Sequence, residues 1–225
     1  MSDGLEDVVA ADTVLSEVDG KAGRLIIRGR TLDELAGRTT FEDLVHLLFQ
    51  GFFDDLPGPI DHVLVAAYTR RSYGPMLDSP SAETGQGIGR RVTQVLEIAR
   101  NAAPKMRPGG TLLLTGGSER NLSREAGITP AAFAVLPPFT AALALELAPV
   151  RVNLIQAAFV DTALAESYFA DEAALEARRE ELRATSPIGR VVEPTDVAAL
   201  AVHLMTNTAV TGATYDVDGG QRLVA

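Results

Sequence analysis

Side chains that do chemistry on their own account are scarce in this sequence. Among its 225 residues there is no cysteine. That excludes disulfides, thiolate nucleophiles and cysteine-type zinc sites. The three histidines, His46, His62 and His203, are too scattered for metal ligation. With no tryptophan and four tyrosines, an aromatic binding platform is not expected. One stretch has the look of a phosphate loop: Thr84-Gly85-Gln86-Gly87-Ile88-Gly89-Arg90 resembles a clipped glycine fingerprint. Such a loop works only between a strand and a helix, where backbone N–H groups face the phosphates. Here Asp78-Ser79-Pro80-Ser81 precedes it instead of a strand. The favoured reading is the flexible start of a helix; a relocated phosphate loop is the alternative.

Composition narrows the field further. Lys and Arg number 20 and Asp and Glu 30, a net charge of −10. A nucleic-acid binder that tracks phosphates needs a basic face, so that class is not expected. The first thirteen residues are acidic, with no apolar signal-peptide core. The apolar run Ala131–Leu145 is broken by Pro137 and Pro138 and reads as too short to span a bilayer. The expectation is a soluble, cytoplasmic α/β protein that binds no membrane.

Charge is distributed unevenly. Residues 1–57 carry 12 acids and 5 bases, or −7, and residues 58–225 carry 18 acids and 15 bases, or −3. The junction, Asp54-Asp55-Leu56-Pro57-Gly58-Pro59, reads as a turn or linker. Two domains, 1–57 and 58–225, follow from that shift. In the first, Thr13–Val18 and Arg24–Arg28 form a plausible hairpin around Asp19–Gly23. A short helix starts near Thr31 and stops at Gly37. A second opens at Thr40, where early acids suit the dipole. Its stripe of Phe41, Leu44, Leu47, Leu48 and Phe49 reads as packing.

In the second piece, strands and helices alternate. Asp61–Ala67 reads as a strand buried on both faces. Helix Val92–Ala103 follows, then strand Thr111–Thr115 after Gly109-Gly110, and helix Phe139–Ala148. Strand Val150–Ile155 leads to helices Glu172–Ala184 and Pro194–Met205 and a last strand, Ala213–Val217. This order predicts a parallel sheet with helical crossovers. The fold class expected is α/β: a partial Rossmann-like parallel sheet with flanking helices, preceded by a small hairpin-plus-helices segment.

Two family resemblances overlie this reading. GLEDVVAADTVLSEVDGKAGRLIIRGRTLDELAG and TFEDLVHLLFQG, about residues 4–51, resemble the N-terminal segment of citrate and 2-methylcitrate synthases. That family's catalytic histidines and aspartate lie further along its chain, and His46 matches none of them. The resemblance implies local structure and no condensing activity. LALELAPVRVNLIQAAFVDTALAE, SPIGRVVEPTDVAALAVHLMTN and AVTGATYDVDGG, with DHVLV and GGTLLLTGG, resemble the C-terminal part of short-chain dehydrogenases/reductases over about 58–225.

The second resemblance implies a site that this sequence alters. The family's catalytic tyrosine falls at Thr129, its lysine at Phe133, and its serine near Gly116 with Ser118 close by. In the family the lysine lowers the tyrosine pKa so that the phenol can exchange a proton with a carbonyl substrate. Threonine beside phenylalanine has no such means. The Asn-Ala-Gly loop becomes Ala66-Ala67-Tyr68-Thr69, which crowds the nicotinamide side. The element that touches the carboxamide becomes Ala157-Ala158-Phe159-Val160-Asp161-Thr162. Of it, Val160 (through its backbone) and Thr162 remain as the cofactor-binding candidates, against the bland reading of inherited loop structure. Asp161 reads as a helix cap for the next segment rather than a ligand-facing acid.

The resemblance also implies NAD or NADP as cofactor. Yet the citrate-synthase-like piece occupies the place of the βα units that grip the diphosphate. The function expected is a reductase-like protein with impaired catalysis, a nominal oxidoreductase, with a small-molecule ligand and self-association as a homo-oligomer through a bared sheet edge. The alternatives are a non-enzymatic binding or oligomerisation module, a working oxidoreductase whose acid is Tyr68, Tyr73 or Thr129, and a module that docks on citrate synthase.

Overall fold

Threonines followed three residues later by acids start both early helices. In this computed structural model, which describes residues 16–19, 24–55, 58–66, 75–78, 81–117, 127–166 and 168–224, the chain divides into two compact units, Met1–Pro57 and Gly58–Ala225.

The first unit is an antiparallel sheet and two helices. β1 (Ser16–Asp19) pairs with β2 (Arg24–Ile27), and β2 with a two-residue β3 (Arg30–Thr31) that the sequence did not signal. Gly29, at φ +78°, makes the tight β2–β3 reversal. α1 (Leu32–Leu35) opens on a capping box, in which the Glu34 carboxylate accepts from the Thr31 backbone N–H at 2.7 Å. That bond and the Thr31 hydroxyl hold the Glu34 carboxyl below its usual range. α2 (Phe41–Phe49) is capped by Thr40, whose side chain accepts from the Asp43 N–H at 3.1 Å. The expected turn at Gly20–Gly23 and the start of the first strand, Thr13–Leu15, lie outside the described residues.

The second unit is a parallel sheet in the order β4 (Ile60–Val65), β5 (Met106–Gly117), β6 (Arg151–Ala157), β7 (Thr214–Val217). Five crossover or flanking helices are added: α3 (Ser81–Ala102), α4 (Thr129–Ala134), α5 (Leu136–Glu146), α7 (Glu172–Thr185) and α8 (Pro194–Thr206). The short α6 (Ala163–Glu166) and α9 (Gln221–Val224) complete it. This is the α/β, partial Rossmann-like architecture that alternation predicts.

Three expectations change. The strand expected at 61–67 is not buried on both faces. Among the described residues β4 is the outer strand, with Asp61, His62 and Leu64 exposed, Leu64 at 46%. Burial on both faces needs a layer packed on each of them, and the face that carries His62 and Leu64 is open. β5 starts before Gly109-Gly110 rather than after. Ile60 pairs with Met106 and His62 with Thr111, so the extra residues bulge out. A Cβ at Gly110 would sit 2.8 Å from the Asp61 carbonyl oxygen, which only glycine avoids. α3 begins at Ser81, so the glycine-rich stretch lies inside the helix rather than at a loop.

The core straddles the sheet. Leu113 and Ile155 pack with Ala201 and Leu204 of α8 on one face. On the other, Leu136 of α5 lies against Gly116, where an added Cβ would meet it at 3.1 Å. The stretch Thr129–Glu146 is long and apolar enough, by length and composition, to cross a membrane. Length therefore does not exclude it, contrary to the sequence expectation. In the structure α5 packs on β6 and buries Leu136, Thr140 and Leu143.

At the far end of β5 and β6, Arg151 staples the sheet to the C-terminus of α8. It is 6% exposed. Its Nη1 donates to the carbonyls of Leu204 (2.7 Å) and Asn207 (2.9 Å), and Nη2 to Met205 (2.8 Å) and the Thr111 hydroxyl. The last carbonyls of a helix have no partner within it and carry its negative dipole end, so a buried guanidinium satisfies both needs.

Candidate functional site

A cavity of about 630 Å³ opens at the carboxyl ends of the strands, where α/β sheets place their ligands. Its floor is Ala66 after β4, Thr115 and Gly117 of β5, and Ile155 and Ala157 of β6. α4 contributes Thr129, Pro130 and Phe133. The segment after β6 supplies a wall of Phe159, Val160, Thr162, Leu164, Tyr168 and Phe169. Arg178 of α7 and Pro194 and Val197 of α8 close the remaining side.

α4 matters most for chemistry. Thr129 and Phe133 are four residues apart, one helical turn, and both reach the cavity. These are the positions to which the reductase resemblance assigned tyrosine and lysine. The Phe133 ring also excludes any side chain at Gly117, where a Cβ would fall 2.7 Å from it. Behind the ring lies Arg91 of α3, 2% exposed, its guanidinium 6.0 Å from the ring centre. Arg91 donates to Gln94 Oε1 at 2.9 Å and to the Thr115 carbonyl. Nothing in the sequence flags it, because its partners beyond Gln94 come from β5 and α4. Ser118, Tyr68 and Tyr73 lie outside the described residues.

The wall is tied down by several independent links. Val160 bridges to Val192, and the Asp161 N–H donates to the Val192 carbonyl at 2.9 Å. Phe159 meets Phe169 edge to face at 6.1 Å. Arg179 grips Asp161 with two bonds, Nε at 3.0 Å and Nη2 at 2.9 Å. Asp161 leads the carboxylates, with Glu176 and Glu172, that raise the Arg179 guanidinium above its ordinary range. The sequence reading of Asp161 as a helix cap is corrected: Thr162 takes that role, its Oγ1 accepting from the Ala165 N–H at 3.2 Å. Asp161 is drawn away because a guanidinium eighteen residues on offers a paired geometry that a single N–H cannot.

A turn after β7 is built on a buried acid. Asp218 is buried and accepts from the Gly220 N–H at 2.9 Å and the Arg222 N–H at 3.2 Å. A Cβ at Gly220 would meet Pro187 at 2.6 Å, so the Asp218-Gly219-Gly220 and Pro187-Ile188-Gly189 turns nest together. That packing is the physical content of two of the sequence stretches that carry the reductase resemblance.

For a nicotinamide cofactor the fit is partial. Val160 and Thr162, the cofactor-binding candidates, both line the cavity. A diphosphate needs free backbone N–H groups at a helix start. Gly85, Gly87 and Gly89 are in the fifth, seventh and ninth positions of α3, where the helix's own carbonyls take those N–H groups. Among the described residues no glycine-rich turn joins a strand to a helix, so the diphosphate half does not fit. Nor do the described residues hold a group of His, Asp or Glu that could bind a metal.

Comparison with known proteins agrees with this geometry. A family model described as Enoyl-(Acyl carrier protein) reductase matches residues 40–222, and one described as Citrate synthase, C-terminal domain, matches residues 4–59. A short-chain dehydrogenase/reductase of Stachybotrys chlorohalonatus is 27% identical over 201 residues, 86% of this chain and 76% of that protein. The crystal structure of a small-chain dehydrogenase in complex with NADPH superposes with a TM-score of 0.68 at 28% identity, covering 81% of this chain and 80% of the other. The aldohexose dehydrogenase of Thermoplasma acidophilum shares the fold, at TM-score 0.71 and 21% identity over 82% of this chain and 76% of that one. The citrate/2-methylcitrate synthase of Bacillus subtilis is 42% identical over 50 residues, 22% of this chain and 13% of that enzyme. The chain thus joins a short citrate-synthase-like segment to a reductase body, and by the match over residues 40–222 it belongs to the enoyl-(acyl carrier protein) reductase family of short-chain dehydrogenases/reductases.

Proposed function

We propose that residues 58–225 form a reductase-derived ligand-binding domain in which hydride transfer is impaired. The observation that carries this is α4, which offers the cavity a threonine hydroxyl and a phenyl ring where proton transfer would need a phenol and an ammonium. A threonine hydroxyl is a far weaker acid than a phenol and ill suited to protonate a developing alkoxide near neutral pH. The glycines of α3 support the same reading, since their N–H groups serve the helix. NAD or NADP is then at most a weak ligand, held on the carboxamide side by the Val160 backbone and Thr162. Titration with NADH and NADPH, followed by cofactor fluorescence, is the test. The expected result is no saturable binding below millimolar cofactor. A micromolar dissociation constant with turnover of a carbonyl substrate overturns the proposal.

A second reading, a working oxidoreductase with an unusual acid, is favoured by one observation. The Tyr168 phenol and the Arg178 guanidinium both line the cavity. The NADPH complex of the 28% identical relative supports cofactor binding in the same way. The titration separates the two readings, and Tyr168→Phe would abolish any turnover that this second reading requires.

We also propose that the chain self-associates. β4 is the outer strand of its sheet among the described residues, and its Leu64 is exposed. Such an edge pairs readily.

A further inference from the structure

The cavity has a distinctive charge pattern. Arg178 is the one permanently charged side chain among its described lining residues, and no carboxylate lines it. Much of the remaining lining is apolar or aromatic, including Phe133, Phe159, Leu164, Tyr168, Phe169 and Val197. Leu164 is 50% exposed and Tyr168 37%, apolar area that a ligand entering the cavity would cover. Arg178 is only partly committed. Its Nη1 meets Glu181 at 2.7 Å, a pair 31% and 58% exposed at its two side chains. Among the described residues that is its one bond. A guanidinium carries five N–H donors, so Nε and Nη2 are left to face a ligand. Thr162 adds a second donor: its oxygen accepts from the Ala165 N–H, which leaves the hydroxyl proton to give.

From this geometry we infer that the cavity binds an apolar or aryl monocarboxylate, with the acid end on Arg178 and the hydrocarbon in the aromatic wall. The inference rests on the ligand-binding reading above and adds the ligand's chemical class. A cationic ligand meets Arg178 with no counter-charge. A neutral ligand gains the wall but leaves the guanidinium's free donors unmatched. A carboxylate matches a guanidinium fork in two bonds. The chain as a whole is strongly acidic and repels anions at long range. Selection for an acid therefore has to be local, and Arg178 is the local group that supplies it.

Three near-isosteric probes test this on the full chain by calorimetry: 2-naphthylacetate, 2-(2-naphthyl)ethanol and 2-(2-naphthyl)ethylamine. The acid should bind about 5- to 10-fold more tightly than the alcohol, the scale of one partly exposed charge-assisted contact, and the amine more weakly than both. Arg178→Gln should bring acid and alcohol within about twofold. Arg178→Lys should keep part of the preference. Glu181→Gln, which removes the competing carboxylate, should tighten the acid about twofold. Equal binding of acid and alcohol to the native chain, or a preference that survives Arg178→Gln, overturns the assignment of class. Failure of all three probes to bind overturns instead the ligand-binding reading on which it rests.

Discussion

Replacing Arg151 by methionine should remove a large part of the second unit's stability while leaving its cavity untouched. Methionine has a similar reach and fills much of the space, so the change isolates the donors. The guanidinium serves carbonyls of Leu204, Met205 and Asn207 and the Thr111 hydroxyl at bonding distance. Two of these acceptors, on Leu204 and Thr111, are in bonds that are fully buried. A buried acceptor left without a donor costs about 1–3 kcal/mol. The remaining acceptors are half-buried and recover water. Two such buried acceptors together cost about 2–6 kcal/mol. Against a typical 5–15 kcal/mol that is a substantial share of the whole. The assay is convenient, because all four tyrosines, at 68, 73, 168 and 215, lie in the second unit. Tyrosine emission during urea unfolding therefore reports that unit alone. Arg151→Lys, with three donors in place of five, should recover about half of the loss. Burial also pushes the Arg151 guanidinium down from its ordinary value, the cost that the carbonyls offset. If Arg151→Met lowers stability by less than about 1 kcal/mol, that desolvation cost outweighs the bonds and the staple argument is refuted.

Other outcomes follow from the same structure. Thr129→Tyr with Phe133→Lys rebuilds the acid pair one turn apart but supplies no diphosphate site, so NADPH oxidation should stay at background; sustained turnover would show that the cofactor is gripped after all. Gly220→Ala places a methyl group against Pro187 at a φ of +82° and should cost about 2–4 kcal/mol in the same unfolding assay, whereas Gly58→Ala, with open space around it, should cost little. Asp196 is held down to about 2 by Arg190, then by the Glu193 backbone N–H. Its folded-state value is depressed, so its stabilisation is fully present above the usual carboxylate range and is lost as pH falls from about 4 through about 2. Carboxyl NMR titration of the native chain and of Arg190→Gln should show the midpoint rise in the variant; an unchanged midpoint would refute the assignment. Light scattering should find the native chain self-associated and Leu64→Lys less so; a monomeric native chain would refute pairing through β4.

Legibility followed the range of the interactions. β5 and β6 were readable because each holds a continuous run of buried residues. Thr40 and Pro194 marked helix starts because capping acts within one turn. Counting back from Leu145-Glu146-Leu147 put Thr129 and Phe133 at the catalytic positions, and both do line the cavity. What stayed hidden crosses the chain. Arg91 gains Thr115 across twenty-four residues, and Arg179 takes Asp161 across eighteen. No local pattern encodes such pairings, so Asp161 looked like a cap until a guanidinium claimed it. The exposure of β4 was misread for a related reason: a strand's own residues do not say whether both faces of its sheet are covered.

None of the ties on the cavity wall depends on a diphosphate site. Val160 and Asp161 are fixed to Val192, Arg179 closes on Asp161, Phe159 stacks on Phe169, and Phe133 fills the space over Gly117. Every one of these partners lies between residues 117 and 192. In an α/β sheet the strand ends that hold a nucleotide and those that shape the substrate side are different strands. Replacing the first set therefore removes a ligand half-site but no tie of the second. Breaking one tie should loosen the wall and little else. Arg179→Gln should weaken binding of the naphthyl alcohol several-fold and expose 158–169 to proteolysis, with tyrosine-monitored stability changed by no more than about 1–2 kcal/mol. A variant that keeps full affinity while unfolding far more easily would mean that the ion pair supports the global core and not the wall.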